Sequence, residues 1–437
     1  MAKKNYIPRE LEKNLMSAAK EFAAVAILGP RQSGKTTLAR HKFPKHKYIS
    51  LEDYDLRELA NTDPRGFLND YPSGTGIILD EIQHAPKLLS YIQTAIDLTL
   101  NTELKPKTKR GFFIITGSQN FLLNQAISQT LAGRVAILTL LPLSIAELTK
   151  SKLLPSKIET AVFTGAYPAL YIEKRSITRL YQGYINTYLE RDVRQIKNIP
   201  DLNLFKKFLS LCAGRIGQEV NYSSLGNDCG LDDKTVKAWL SVLETSYIIF
   251  LLQPYYKNFG KRLIKSPKLY FVDTGLACTL LRIKSATELL DSAIRGPLIE
   301  NFIISDLLKQ QYNLELLPSI YFWRDLSGNE IDCIIDEGNI IVPIEIKSSK
   351  TVIASFFKNY DYWQTLTAAP SPSATIPSTP DIAIPSTPAI KKLSKISKTK
   401  TKNNFYVIYS GDENQNWPNG KALSWSKIGN LVQTIIN

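Results

Sequence analysis

The stretch GPRQSGKT from Gly29 to Thr36, entered from the apolar run Ala23-Ala24-Val25-Ala26-Ile27-Leu28, restricts this chain more than any other feature. It fits the pattern G-x-x-x-x-G-K-[ST]. A buried strand that turns at once into a helix aims unpaired backbone N–H groups and the positive helix end at one point, where an anion can sit. Gly29 and Gly34 let the backbone approach phosphate oxygens closely, and Lys35 reaches the outer phosphates. Thr36 offers a hydroxyl to Mg2+, and Thr37 follows it at the start of the helix. The expected ligands are ATP and Mg2+.

The loop needs a parallel sheet around it, and the first 150 or so residues supply the pattern. Short apolar strands are expected at 23–28, 48–51, 76–79, 112–116 and 135–140, alternating with helical segments, which gives an α/β fold. Residues 151–285 change to helical periodicity, at 177–193, 202–213 and 234–245. From 286 to 437 a third region reads as one helix (298–308) and then strands at 319–324, 330–336 and 340–347. Within it, 367–402 is rich in Pro, Ser, Thr and then Lys, with IPSTP occurring twice, and reads as a disordered insertion before a strand at 405–409.

Binding becomes hydrolysis only with an acid to hold the metal and a group to activate water. The strand Gly76-Ile77-Ile78-Leu79 ends in Asp80 and Glu81, Asp80 for Mg2+ and Glu81 for the attacking water. The chain turns there, so both side chains can reach the site. The next strand ends Thr116-Gly117-Ser118-Gln119, where Ser118 is the favoured γ-phosphate sensor and Thr116 and Gln119 are its rivals. Arg134 could neutralise transition-state charge, in cis or across a subunit boundary.

Composition bounds the setting. With 437 residues the chain exceeds one typical core, and 44% hydrophobic content suits globular folding. Its longest apolar runs, such as 246–252, are far shorter than a membrane span, and the amino terminus lacks the apolar core of a secretory signal. Four scattered cysteines, with His41, His46 and His84 far from all of them, predict buried reduced thiols and no structural zinc, hence a cytoplasmic protein. The net charge of +14 favours polyanions, nucleic acid foremost.

Two further constellations bear on partners. Residues 222–249 read as helix–turn–helix, with Val236, Trp239, Leu240 and Leu243 buried and Lys234 and Lys237 exposed. Strands at 249–255 and 268–272 could form a wing whose loop carries Lys257, Lys261, Arg262 and Lys265. Such a unit docks on DNA or serves only as a protein contact. In the last region Glu300 sits on a helix, Asp332 on a strand, and Glu345 and Lys347 share a face of the next strand. Two carboxylates could hold Mg2+ while the lysine positions water near a phosphodiester.

The P-loop, LDEIQ (79–83), ITGSQ (115–119) and LAGR (131–134) together resemble the AAA-type ATPases. With LPLSIAEL (141–148), YLERDV (188–193), FVDTGLA (271–277) and GPLIENFI (296–303), the chain is similar to a prokaryotic group that joins this ATPase to a carboxy-terminal domain of unknown function. The last region also resembles the PD-(D/E)xK restriction-endonuclease-like fold, with Glu300 as the helix-borne acid, although Ile331 stands where the motif has proline. These resemblances imply an ATPase coupled to a DNA-binding, nuclease-like domain. The alternative is a regulatory ATPase switch whose carboxy-terminal domains bind a protein partner and cut nothing; use of Arg134 in trans would require self-association.

Overall fold

A computed structural model of the chain describes residues 6–71, 75–100, 110–118, 130–188, 199, 201–255, 266–338, 340–368 and 405–437. Alternation along β1 (Ala24–Gly29) shows how the first sheet is built. Ala24, Ala26 and Leu28 pack into one apolar cluster with Leu79, Leu88, Ile92 and Ile115. Val25 and Ile27 pack into another with Leu15, Leu38, Ile78 and Ile114. A strand covered on both faces reads as an unbroken apolar run, which is how this one looks in sequence. The other strands are β2 (Lys47–Ser50), β3 (Ile77–Asp80), β4 (Phe113–Ser118) and β5 (Val135–Thr139). They lie in the order β2-β3-β4-β1-β5, and every pairing is parallel. All carboxyl ends therefore line one edge, where open α/β sheets place their ligands.

The middle is helical, at Ile177–Tyr188, Leu202–Ala213, Tyr222–Cys229 and Asp233–Thr245. Asp201, Asn221 and Asp232 cap the last three through their side chains, satisfying N–H groups the helix leaves free. Gly230, at φ 71°, makes the turn between the paired helices. Trp239 locks the bundle, its ring centroid 5.0 Å from Phe205 and 5.2 Å from Phe208. Lys234 and Lys237 are exposed, and Lys237 lies over the Tyr222 ring. The hairpin β6 (Ile249–Pro254) and β7 (Lys268–Phe271) follows. The wing-loop cations at 257, 261, 262 and 265 lie outside the described residues, as does 189–193.

The hairpin does not stand alone. β6 pairs in parallel with β8 (Ile320–Arg324) and so continues a sheet whose other strands come from the last region. These are β9 (Glu330–Asp336), β10 (Ile341–Lys347), β11 (Tyr406–Tyr409), β12 (Gln415–Trp417) and β13 (Gly420–Ser424), in the order β12-β13-β11-β10-β9-β8-β6-β7. β8, β9 and β10 are antiparallel, while β11 runs parallel to β10. A lone two-stranded hairpin is marginal in water, and pairing one edge to β8 removes that weakness. One apolar cluster runs from Leu141 to Ile435, so the boundary expected at 285 crosses a shared core. Most of the stretch expected to be disordered lies outside the described residues, though Thr367 and Ala368 end the helix Lys358–Ala368.

The helix Arg295–Asn313 runs through this core, and most of its polar residues are buried. Asn301 bonds both ways with the Phe271 backbone, and Ser305 donates to the Val272 carbonyl. Near its far end Asp306 accepts from the Ile145 amide at 2.7 Å, and Lys309 donates to the Leu143 carbonyl. All four cysteines are buried and free. Among the described residues no helix is long and apolar enough to cross a membrane.

Candidate nucleotide site and acidic cluster

The phosphate loop is shaped by two glycines in places closed to other residues. Gly29 ends β1 at φ 150°, and a β-carbon there would lie 2.2 Å from the Leu140 carbonyl oxygen. Gly34 opens the helix Lys35–Lys42 at φ 98°. Lys35 is buried and folds over its own loop, donating to the carbonyls of Gly29 (3.0 Å) and Pro30 (2.7 Å). Thr37 is exposed one residue beyond Thr36.

Asp80 gathers the next groups. The Thr36 hydroxyl donates to its Oδ1 at 2.8 Å, Thr116 donates to the same oxygen, and the Tyr48 hydroxyl donates to Oδ2 at 2.8 Å. Thr36 and Asp80 thus present hard oxygens side by side, the donor type Mg2+ takes. Glu81 leaves the strand in the left-handed region, at φ 56°, a conformation costing a residue with a β-carbon about 1 kcal/mol. That twist lets two successive acids reach one site. The Glu81 carboxylate accepts from the Gln83 amide and, at 3.4 Å, from Ser118. Burial alone would raise the Glu81 carboxyl, but the Lys35 charge, the Gln83 amide and Arg31 hold it below its ordinary value.

Thr116 and Ser118 both reach this edge, Thr116 on Asp80 and Ser118 near Glu81, while Gln119 lies outside the described residues. Arg134 does not reach it. Val135 pairs with Ala24 at the amino end of β1, whereas the loop leaves from Gly29 at the other end. Strand rise alone separates them by about 16 Å. The guanidinium there makes a two-pronged ion pair with Asp97, at 2.6 and 3.1 Å. The polarity of the sheet and this ion pair thus hold Arg134 away from the phosphate loop of its own chain.

Arg9, absent from the sequence reading, braces the loop from behind. Its guanidinium donates to the Ser33 carbonyl (2.7 Å), the Leu141 carbonyl (2.6 Å) and the Glu147 carboxylate (2.9 Å). Glu147 is itself buried and closes a capping box with Ser144. Nothing local marks a lone arginine near the amino terminus as part of the site. Tyr48 is equally silent, since a strand tyrosine reads as core.

A second cluster forms where β9, β10 and the helix Arg295–Asn313 meet β7. Lys347 Nζ lies 2.6 Å from Glu345 and 3.6 Å from Asp332, and Asp332 accepts from the Ile346 amide at 2.7 Å. Asn359 donates to Glu345 at 2.8 Å. Glu300 accepts from the Tyr270 hydroxyl and stands 3.5 Å from Lys268, which also pairs with Glu330. Burial, followed by the Asp332 charge, raises both Glu300 and Glu345 above the usual carboxylate range. Lys268 and Lys347 are held protonated by the acids around them, against burial. The structure thus brings all four expected residues into one neighbourhood and adds Lys268 and Tyr270 from the hairpin. Among the described residues, however, no three His, Cys, Asp or Glu side chains are disposed to share a metal ion.

Comparison with known proteins finds three family models along the chain. Residues 21–149 match a family model described as an AAA domain, AAA_14. Residues 155–287 and 295–428 match two domains of unknown function, DUF8612 and DUF4143. An uncharacterized protein of Mycobacterium tuberculosis is 28% identical over 350 residues, covering 78% of this chain and 74% of its own. Another, from Methanocaldococcus jannaschii, is 24% identical over 365 residues, covering 71% and 74%. Among solved structures, the Walker-type ATPase of Pyrococcus abyssi aligns with a TM-score of 0.43 at 16% identity, over 64% of this chain and 97% of that one. The match to the AAA domain thus falls on the region that carries the phosphate loop and the parallel sheet.

Proposed function

We propose that the chain binds and hydrolyses ATP at the carboxyl edge of its first sheet and that this step controls a nucleic-acid-facing carboxy-terminal half. The observation that carries the ATPase reading is the convergence of three strand ends. Lys35 and Thr36 follow β1, Asp80 and Glu81 end β3, and Thr116 and Ser118 end β4. Lys35 would exchange its loop carbonyls for the outer phosphates. Thr36 and Asp80 would hold Mg2+, which when bound neutralises charge on the transferring phosphoryl group. Glu81 would take a proton from the attacking water, and Ser118 would fix the orientation of that carboxylate. Substituting Lys35→Ala should weaken ATP binding by about tenfold or more, since a charge-assisted hydrogen bond contributes about 1.5–3 kcal/mol. Wild-type affinity and turnover in that variant would overturn the reading.

The nucleic-acid reading rests on Asp332, Glu345 and Lys347 meeting on adjacent strands, beside an α-β-β-β-α-β succession that supports a restriction-endonuclease-like fold. The net charge of +14 and the exposed Lys234 and Lys237 favour DNA as its partner. Coupling would run along the helix Arg295–Asn313, which carries Glu300 in one half and Asp306 and Lys309 in the other. A second reading, a switch that binds a protein partner and cuts nothing, is favoured by the lysines that already neutralise these acids and by the lack of a three-ligand metal set among the described residues. Incubation with plasmid or single-stranded DNA, Mg2+ and ATP separates the two. Cutting that is lost in Asp332→Ala supports the first, and intact DNA throughout supports the second.

A further inference from the structure

Gln83 lies three residues beyond Asp80 in LDEIQ, and its side chain ties together two of the strand ends described above. Its amide nitrogen donates to Ser118 Oγ at 2.9 Å and also to the Glu81 carboxylate. The orientation of the amide follows from chemistry. An ionised carboxylate only accepts hydrogen bonds, so the nitrogen, and not the oxygen, is the atom bonded to Glu81. That oxygen, Oε1, is buried and has no hydrogen-bond partner among the described residues. Buried polar oxygens are rarely left so, and a catalytic role is one of the physical reasons for such an exception.

We infer that Gln83 is a catalytic residue of the ATPase, its Oε1 accepting a hydrogen bond from the attacking water while its nitrogen fixes Glu81 and Ser118. This rests on the hydrolytic reading above and assigns a second contact to the same water. In that step the water oxygen bonds to the γ-phosphorus, and the bond from that phosphorus to the β–γ bridging oxygen breaks. The bridging oxygen leaves with the electron pair as part of ADP, and the water proton passes to Glu81. An acceptor on each side of the water would hold a lone pair towards phosphorus, which neither Glu81 nor Ser118 does alone. The backbone supports the arrangement. Glu81 enters the left-handed region and the chain then makes a single tight turn from Ile82 to His84, which carries Gln83 back beside the acid it follows.

The test is steady-state ATP hydrolysis by the full-length chain, with nucleotide affinity measured separately by fluorescence of a labelled ATP. Gln83→Leu keeps the bulk but offers neither amide nor acceptor. It should lower kcat about 10- to 100-fold while KM and the affinity change less than about threefold. Gln83→Asn, with the amide one methylene short, should retain more activity than Gln83→Leu. If Gln83→Leu does not fold, Gln83→Ala carries the same expectation. A kcat within twofold of wild type, or a loss of turnover matched by a loss of nucleotide affinity, overturns the inference. Glu81→Gln serves as the control. If it abolishes turnover while Gln83→Leu does not, the role of Gln83 fails and the ATPase reading stands. If neither protein nor variant hydrolyses ATP, both fall.

Discussion

At the residue scale, the side chains that hold the functional groups explain more than the groups themselves. Asp80 is fixed by three hydroxyls, and only Thr36 and Thr116 lie in recognisable motifs. Tyr48 supplies the third, so Tyr48→Phe should leave ATP affinity unchanged and raise the Mg2+ concentration for half-maximal turnover about three- to tenfold, by loss of about 1 kcal/mol. A Mg2+ titration of turnover reads this directly. Glu10 offers a different check. Burial and the nearby Glu147 and Asp306 push its carboxyl up to about 7. The folded chain therefore binds this proton more tightly than the unfolded chain, whose carboxyl titrates near 4.5. Its contribution to stability is full below that pH and is lost as pH rises towards 7. In urea unfolding between pH 5 and 7.5, Glu10→Gln should show a shallower fall of the midpoint than wild type.

Among the elements, strands and helices were legible and their partners less so. The runs before Gly29, Asp80 and Ser118 are apolar on both faces, so their burial and parallel pairing could be read directly. Three of the acidic-cluster residues were legible for a related reason, since period two puts Glu345 and Lys347 on one face and a hairpin brings Asp332 alongside. Contacts between distant segments were not legible. The pairing of Gln253 with Tyr321, which merges the hairpin with the last sheet, depends on an edge that either strand could have offered elsewhere. Arg134 stands in a motif, yet the direction of the sheet places it at the wrong end for its own loop. Arg9 gave no local signal, and its pair with Glu147 is almost fully buried. Arg9→Met strands the Glu147 charge and should cost about 3–5 kcal/mol in urea unfolding, with much of it recovered when Glu147→Gln is added. An additive double variant would show that the two do not act as a pair.

The whole molecule joins two sheets through one buried helix. The hairpin pairs with β8, and the apolar cluster spans Leu141 to Ile435, so the middle and last regions share one core. A chain ending at residue 285 would expose β6 and much of that cluster; it should aggregate or lack cooperative thermal unfolding, and a sharp transition in it would show the regions to be independent. The Arg295–Asn313 helix links the segment after β5 to the acidic cluster, because Asp306 and Lys309 hold that segment while Glu300 lies in the cluster itself. All of this presupposes that the first sheet hydrolyses ATP with Glu81 as the base. The most direct measurement is ATP turnover by wild type and Glu81→Gln at saturating Mg2+, alongside nucleotide affinity. Wild type should turn over, and Glu81→Gln should bind ATP as well while hydrolysing it about 100-fold or more slowly. Equal turnover in the two proteins would contradict it.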